Sequence, residues 1–369
     1  MTQRPMREGL DRAAGRISLH MPGHKGRAPF EDNAWFPLDQ TELAVTDDLY
    51  APESMIAAAE TLYARAAGSG RALLLHNGST AGIQAMLMLW AREGDTVLLP
   101  RNAHLSAVNG CVVGGMRVKW IPQRFTAEGY GFIREDDVLA ALAACPEART
   151  LLLTHPDFYG GCIPLERIVR AAHGQGCRVV IDEAHGAHFP WLGGSGIVSA
   201  GALGADAWVQ SCHKTLPSLT GTAVLHVRDA AEGARALSLT RLTQTSSPSF
   251  LFLMSMDDAR AYMEDKGAAA LADLAARVSA LKRRLPQWGY GDAQAQAAET
   301  GYTFDPTRLV IDAPQGGEAL DAALRARGID AEMHDVRRVV CILSVMDGAE
   351  TTDALARALA DIPPKTVPL

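Results

Sequence analysis

The sequence predicts an α/β protein with a mostly parallel central sheet and a smaller α+β domain behind it. Three observations predict it. Apolar runs of strand length alternate with segments of helical apolar spacing from Ala72 to Val227. A chain of 369 residues with 48% hydrophobic content exceeds one small core and divides naturally into a large domain and a smaller one. Helix formers run almost unbroken from Met256 to about Leu285, and a β-α-β-β-α pattern follows them.

Taken in order, Ala72 to Leu75 reads as a strand that enters the turn Asn77-Gly78-Ser79-Thr80, and Ala81 to Ala91 has helical spacing. Thr96 to Pro100, Leu151 to Thr154, Arg178 to Ile181, Ala207 to Gln210 and Ala223 to Val227 read as further strands, with a helix over Ile163 to His173. Pro156, Gly160, Gly161 and Pro164 punctuate a loop at a strand end, where binding residues tend to lie. After the long helix, the polar segment Gly289 to Gly301 connects to Arg308–Ile311, Gly317–Arg327, Ala331–Met333, Val339–Val345 and Thr351–Ala360. The tail from Pro363 to Pro368 reads as extended, and no internal repeat is present. The expected organisation is an arm over 1–45 that contributes to the active site, a large domain over 46–260, and the linking helix with the small domain over 261–369.

Composition excludes several classes. No stretch of about twenty apolar residues predicts a membrane span. The start, Met1 to Glu8, has no apolar segment behind its basic residues, so secretion is not indicated and a cytoplasmic enzyme is expected. The six cysteines are scattered without a C-x-x-C pair and read as reduced core residues. A net charge of −7 offers no basic surface for nucleic acid.

The chemistry concentrates at two places. An apolar run ends in Asp182, and Ser211-Cys212-His213-Lys214-Thr215 follows the next such run. An acid at the carboxyl end of a buried strand lies where open α/β sheets place their ligand crevice. There it could keep the ring nitrogen of pyridoxal phosphate (PLP) protonated, while Lys214 as a free amine could take the aldehyde. Ser211 would serve the phosphate. Each residue alone has an ordinary reading, Lys214 as a solvated turn lysine and Asp182 as a helix N-cap.

Several segments, in consistent order, resemble the Orn/Lys/Arg decarboxylase family of fold-type-I PLP enzymes. They are His20 to Gly26, Thr41 to Leu43 with Thr46 to Tyr50, Asn77 to Gly82, Arg101 to His104, Asp182 to His188 and Gln210 to Leu216. A looser likeness persists at Glu332-Met333-His334-Asp335. The resemblance implies a fold-type-I transferase fold, PLP, decarboxylation of lysine, ornithine or arginine as in polyamine biosynthesis, and a homodimer with shared active sites. The family's further C-terminal region and N-terminal wing have no counterpart here, which leaves the substrate side chain open.

The same resemblance distributes roles. Ser79 and Thr80, at a small-residue turn before a helix, would hold the phosphate. His104 would stack on the ring, although Ala103 and Leu105 stand where the family commonly has cysteine and lysine. His185 would lie near the ring or its O3′ side, and His188 would be structural. His213 could relay a proton or contact phosphate, or simply pack. Thr245, in Thr243 to Pro248, would reach the phosphate of the neighbouring subunit, and His20 to Gly26 would close the site. Neither His20/His24 nor His185/His188 forms a ligand set at metal-binding spacing, so no metal is expected.

Decarboxylation is the leading reading, with catalytic Lys214, His213 and Asp182. Transamination or Cα–C lysis would use the same cofactor groups, and an arginine such as Arg337 or Arg338 holding the substrate carboxylate would favour transamination. A PLP-binding protein without catalysis is the reading from another class.

Overall fold

The computed structural model describes residues 2–13, 22, 25, 35–362 and 364. Seven strands form the central sheet in the spatial order Arg71–Leu75, Ala223–Val227, Ala207–Gln210, Arg178–Asp182, Thr150–Thr154, Thr96–Pro100, Arg117–Ile121. All run parallel except Ala223–Val227, which is antiparallel to both neighbours. Between Gln210 and Ala223 the chain turns back through the single helical turn Cys212–Thr215, and the two strands pair antiparallel. That connection carries Lys214 in the short helix Cys212–Thr215, just beyond the carboxyl end of the inner strand Ala207–Gln210.

Helices on both faces explain why these strands read as unbroken apolar runs. Thr96–Pro100 and Ala223–Val227 are buried at every position. Arg117–Ile121, absent from the sequence reading, is the sheet edge, and only Ile121 in it is buried. An exposed edge strand lacks the apolar signal.

The predicted helix after Leu75 starts three residues early, over Gly78–Trp90, so Ser79 and Thr80 lie in its first turn. Gly78 takes φ 68°, which only glycine adopts without strain. Gly82 lets this helix sit on the sheet, because a Cβ there would meet Val209 Cγ2 at 2.7 Å. The helix expected over Ile163–His173 spans Glu166–Gly174, since Pro164 holds Ile163 extended.

The long helix leaves the large domain as Phe250–Tyr262, passes through a wide π turn at Met263–Gly267, and continues as Ala268–Arg284. A four-stranded antiparallel sheet follows, in the order Gly291–Asp292, Arg308–Asp312, Arg338–Ile342, Met333–His334. Gly317–Arg325 and Ala349–Asp361 complete the small domain, with Leu274, Leu281, Ile311, Leu320 and Leu359 in its core. The strand pair Thr303–Phe304 with Gly161–Cys162 ties this domain to the large one.

Part of the expected arm is docked. Pro5–Ala13 is a helix whose Met6 and Leu10 are fully buried, and Met6 N–H donates to Asp257 in the long helix at 3.1 Å. His20 to Gly26 lies outside the described residues apart from Pro22 and Lys25, as does the tail from Pro363 apart from Pro364. Asp47, in the Thr46 to Tyr50 motif, accepts from the N–H groups of Glu53, Ser54 and Ile56 and so caps the helix Met55–Ala67.

Candidate active site

The carboxyl ends of the parallel strands open into a cavity of about 160 Å³. Asp182, at the end of Arg178–Asp182, lines it together with Ser79, His104, His185 and Lys214. The Ser211 N–H donates to Ala184 O at 3.3 Å, which fixes the loop carrying Lys214 against the loop after Asp182.

Lys214 Nζ lies 3.1 Å from His185 Nε2. Burial pulls the Lys214 pKa down and Arg308 adds to this, while Asp182 and Glu332 oppose it. His185 is pushed well below the usual histidine range, first by burial and then by the charges of Arg308 and Lys214. It is therefore a neutral imidazole at pH 7. Phe158 packs edge-on to it at 5.1 Å.

Asp182 is 5% exposed and accepts one bond, from Ala184 N–H at 3.1 Å, through Oδ1. Its other oxygen has no partner among the described residues. Burial raises its pKa, against the Ala184 bond and the charges of Lys214 and His104. A cation placed beside that free oxygen would reverse the shift. Glu183, next in sequence, faces the interior and is held by Ala200 N–H, Ser199 Oγ and Gln210 Nε2.

Other polar groups around the cavity lack partners. Asn102 Oδ1, Thr154 Oγ1 and Ser211 Oγ are buried and unbonded among the described residues, and the first two residues line the cavity. Past Gly78, whose N–H donates to Gly221 O, the N–H groups of Ser79 and Thr80 in the first turn of Gly78–Trp90 lie at the same end of the sheet without a side-chain cap. Unpartnered acceptors and hydroxyls, a helix N-terminus, a free carboxylate oxygen and a depressed lysine fit PLP group for group.

Not every expected residue lines the cavity. Thr80 is exposed on the first helical turn. His213 bonds through Nδ1 to Thr222 O at 2.9 Å and does not line the cavity. Thr245 is exposed, and the Tyr50 hydroxyl donates to its carbonyl at 2.8 Å. The neighbouring Gln244 accepts from His76 and Asn77 N–H, so this run is stitched beside the helix that carries Ser79. His104 caps the helix Leu105–Val113 through Nδ1 and is exposed at the cavity mouth. His188 pairs with Asp305 at 3.2 Å in the interior, in keeping with a structural role. Arg337 is bound to Asp312, and Arg338 to Asp335 and the carbonyls of Glu128 and Gly129. Contrary to the expectation that one of them could grip a substrate carboxylate, both are engaged elsewhere.

Sequence reasoning missed Asp157, Phe158 and Tyr159, which line the cavity from the punctuated loop after Thr150–Thr154. It also missed Arg308, which opens a buried strand that Asp312 closes. Residues 12–295 match the family model of the Orn/Lys/Arg decarboxylase major domain.

The chain belongs to the Orn/Lys/Arg decarboxylase family. The cofactor of this family is PLP. YaaO of Bacillus subtilis (strain 168) is 34% identical over 370 residues, which cover 95% of this chain and 75% of that protein. The arginine decarboxylase of the same organism is 29% identical over 380 residues, 97% of this chain and 77% of that enzyme. The lysine decarboxylase LdcF of Francisella novicida shares the fold, with a TM-score of 0.85 at 16% identity over 96% of this chain. The chain spans 59% of the length of that structure. Among the described residues, no helix of this family member is long and apolar enough to cross a membrane.

Proposed function

We propose that this chain decarboxylates a basic amino acid, with Lys214 and Asp182 at the centre of the site. PLP, when bound, supplies an aldehyde for an amine and a ring that accepts the electron pair left by departing CO₂. The single observation that carries the reading is the convergence of a depressed lysine and a buried, half-free carboxylate in one cavity at the carboxyl end of the sheet.

Lys214 would hold the cofactor, and Lys214 or His213 would supply a proton to the substrate. Asp182 would keep the ring nitrogen protonated. Ser79, Thr80 and Ser211 would serve the phosphate, and His104 and His185 would meet the ring. A cationic substrate is favoured by two carboxylates: Asp157 lines the cavity, and Glu332 acts electrostatically on Lys214. The engagement of Arg337 and Arg338 argues against transamination through either of them.

A homodimer completes the site. Thr245 is exposed and is not among the residues that line its own chain's cavity, which suits a role in the partner's site. The three-part organisation of arm, large domain and small domain belongs to the same proposal, as do a cytoplasmic location and a place in polyamine biosynthesis.

The purified, PLP-loaded protein should release CO₂ from lysine, ornithine or arginine when these are offered in a screen of amino acids. Formation of a keto acid without CO₂ would replace this reading with transamination. For the dimer, Lys214→Ala mixed with Thr245→Ala should regain activity after subunit exchange, to at most about half of wild type. No recovery despite proven exchange would return Thr245 to its own chain's site.

A further inference from the structure

Arg308 opens the small-domain strand Arg308–Asp312 and is 1% exposed. A buried guanidinium is costly unless a carboxylate meets it. Among the described residues none forms an ion pair with Arg308. Asp305, Asp157 and Glu332 act on it only through space. Its contacts are instead two long ones, Nη2 to His185 Nδ1 at 3.4 Å and Nη1 to Phe158 O at 3.5 Å.

We propose that Arg308 is a positioning residue that donates to His185 Nδ1, so that the neutral imidazole carries its proton on Nε2 and presents it to the free amine of Lys214. The inference deepens the PLP reading, on which it rests. A guanidinium has five donors and no acceptor, so Nδ1 must accept. A neutral imidazole has one N–H, which is then on Nε2. The partner of Nε2, 3.1 Å away, is Lys214 Nζ. An ammonium has donors only and would meet this N–H without an acceptor. An amine offers its lone pair. The arrangement therefore selects the protonation state in which a lysine attacks an aldehyde.

Burial and the Arg308 charge act in the same sense on both groups, and the nearby carboxylates oppose them. His185 is faced by Arg308, Lys214 and His104, with Asp305 the one opposing charge. Lys214 is faced by Asp182 and Glu332, which favour the ammonium, and by Arg308, which opposes it. Phe158 sets the imidazole plane through its edge-on contact, and its carbonyl accepts from the same guanidinium. A residue of the small domain thereby sets the chemistry of a lysine on the large one.

Two measurements on the full-length, cofactor-free protein test this. In wild type, ¹⁵N chemical shifts of His185 should report the Nε2–H form at pH 8, and a dominant Nδ1–H form would overturn the proposal without any variant. Trace acetylation, read by mass spectrometry as the ratio of Lys214 to the exposed Lys119, should follow the free-amine fraction, which changes about tenfold per pH unit below the pKa. Arg308→Met should move the Lys214 profile to higher pH and lower its labelling several-fold at pH 8. Arg308→Lys should keep the profile through its charge but give a mixed His185 tautomer. An unchanged Lys214 profile in folded Arg308→Met would reduce Arg308 to an interdomain anchor. Failure to release CO₂ from any amino acid would sink the decarboxylase reading and leave these two results standing.

Discussion

The cavity has two walls, and their polar groups are satisfied to different degrees. On the wall built by the sheet ends, Asn102 and Thr154 each leave a buried polar atom unbonded among the described residues, as does Ser211 behind it, and Asp182 uses one oxygen of two. On the second wall, the loop that follows Thr150–Thr154, Asp157 accepts from Tyr159 N–H, Gly161 N–H and the Tyr130 hydroxyl, all within 2.9 Å, and the Tyr159 hydroxyl donates to Asp335 at 2.8 Å. An unpaired buried polar group costs about 1–3 kcal/mol. A fold keeps several in one place when a ligand will pair them. On the proposed reading the first wall would pair the cofactor, and the second, its bonds already made, would border the substrate.

The largest expected difference between the walls is in turnover. Asp182→Asn keeps the size and the bond to Ala184 but removes the charge, and kcat should fall by several powers of ten. Borohydride should still fix PLP to the variant, on Lys214 by peptide mapping. Tyr130→Phe, on the opposite wall, should change kcat by only a small factor. Equal losses in the two variants would erase the distinction, and an adduct on another lysine would remove the central assignment.

The neighbours Asp182 and Glu183 repeat the contrast within one strand end. Glu183 is fully buried with three donors, and burial pushes its pKa up to about 8. Glu183→Ala strands those donors and should cost about 3 kcal/mol of stability. The folded protein also holds the Glu183 proton more tightly than the unfolded chain does. Its contribution is therefore full below the unfolded value, near 4.5, and is lost as pH rises through about 8. Urea midpoints at fixed protein concentration should fall more between pH 5 and pH 8 for wild type than for Glu183→Gln. Parallel curves would show that Glu183 is ionised throughout.

The two walls also differ in how far they could be read from the sequence. Asp182 and Lys214 were legible because an acid ending an apolar run and a lysine following the next run each have a local meaning. The sheet was legible for the same reason, except for the edge strand Arg117–Ile121, whose exposed residues carry no apolar pattern. Asp157 and Arg308 had no such signal. Their placement depends on pairing Gly161–Cys162 with Thr303–Phe304, far apart in sequence, and no spacing rule predicts that pairing. Thr80 differs only in its element: it reads as part of a turn before the helix, but the helix begins at Gly78 and carries it, exposed, in the first turn. Arg337 and Arg338 were plausible by distance along the chain, and only the folded structure shows the carboxylates that hold them.

A smaller effect sharpens the contrast at Ser211. Its hydroxyl is buried and unpartnered, so Ser211→Ala removes no hydrogen bond from the cofactor-free protein. Thermal stability without PLP should stay within about 0.5 kcal/mol of wild type. A hydroxyl that donates to a phosphate dianion contributes about 1.5–3 kcal/mol, so PLP affinity should drop by at least about tenfold. Loss of stability with unchanged affinity would mean that the hydroxyl has an internal partner and does not serve the cofactor.

The smallest effect belongs to the satisfied wall. Tyr159→Phe deletes one neutral-to-charged bond, to Asp335, which also accepts from Arg337 and Arg338 backbone N–H groups and from the Arg338 side chain. Because Asp335 keeps those donors, the loss should be about 1 kcal/mol, seen as a small drop in the urea midpoint. The Phe ring preserves the packing of Tyr159 against Tyr130 and Phe158, so the cavity keeps its shape. PLP affinity should therefore match wild type, and any change should appear in KM for the amino acid, if the satisfied wall borders the substrate as proposed. If Tyr159→Phe weakened PLP binding as much as Ser211→Ala, the wall with its hydrogen bonds already made would be holding the cofactor too, and satisfaction would not distinguish binding from support.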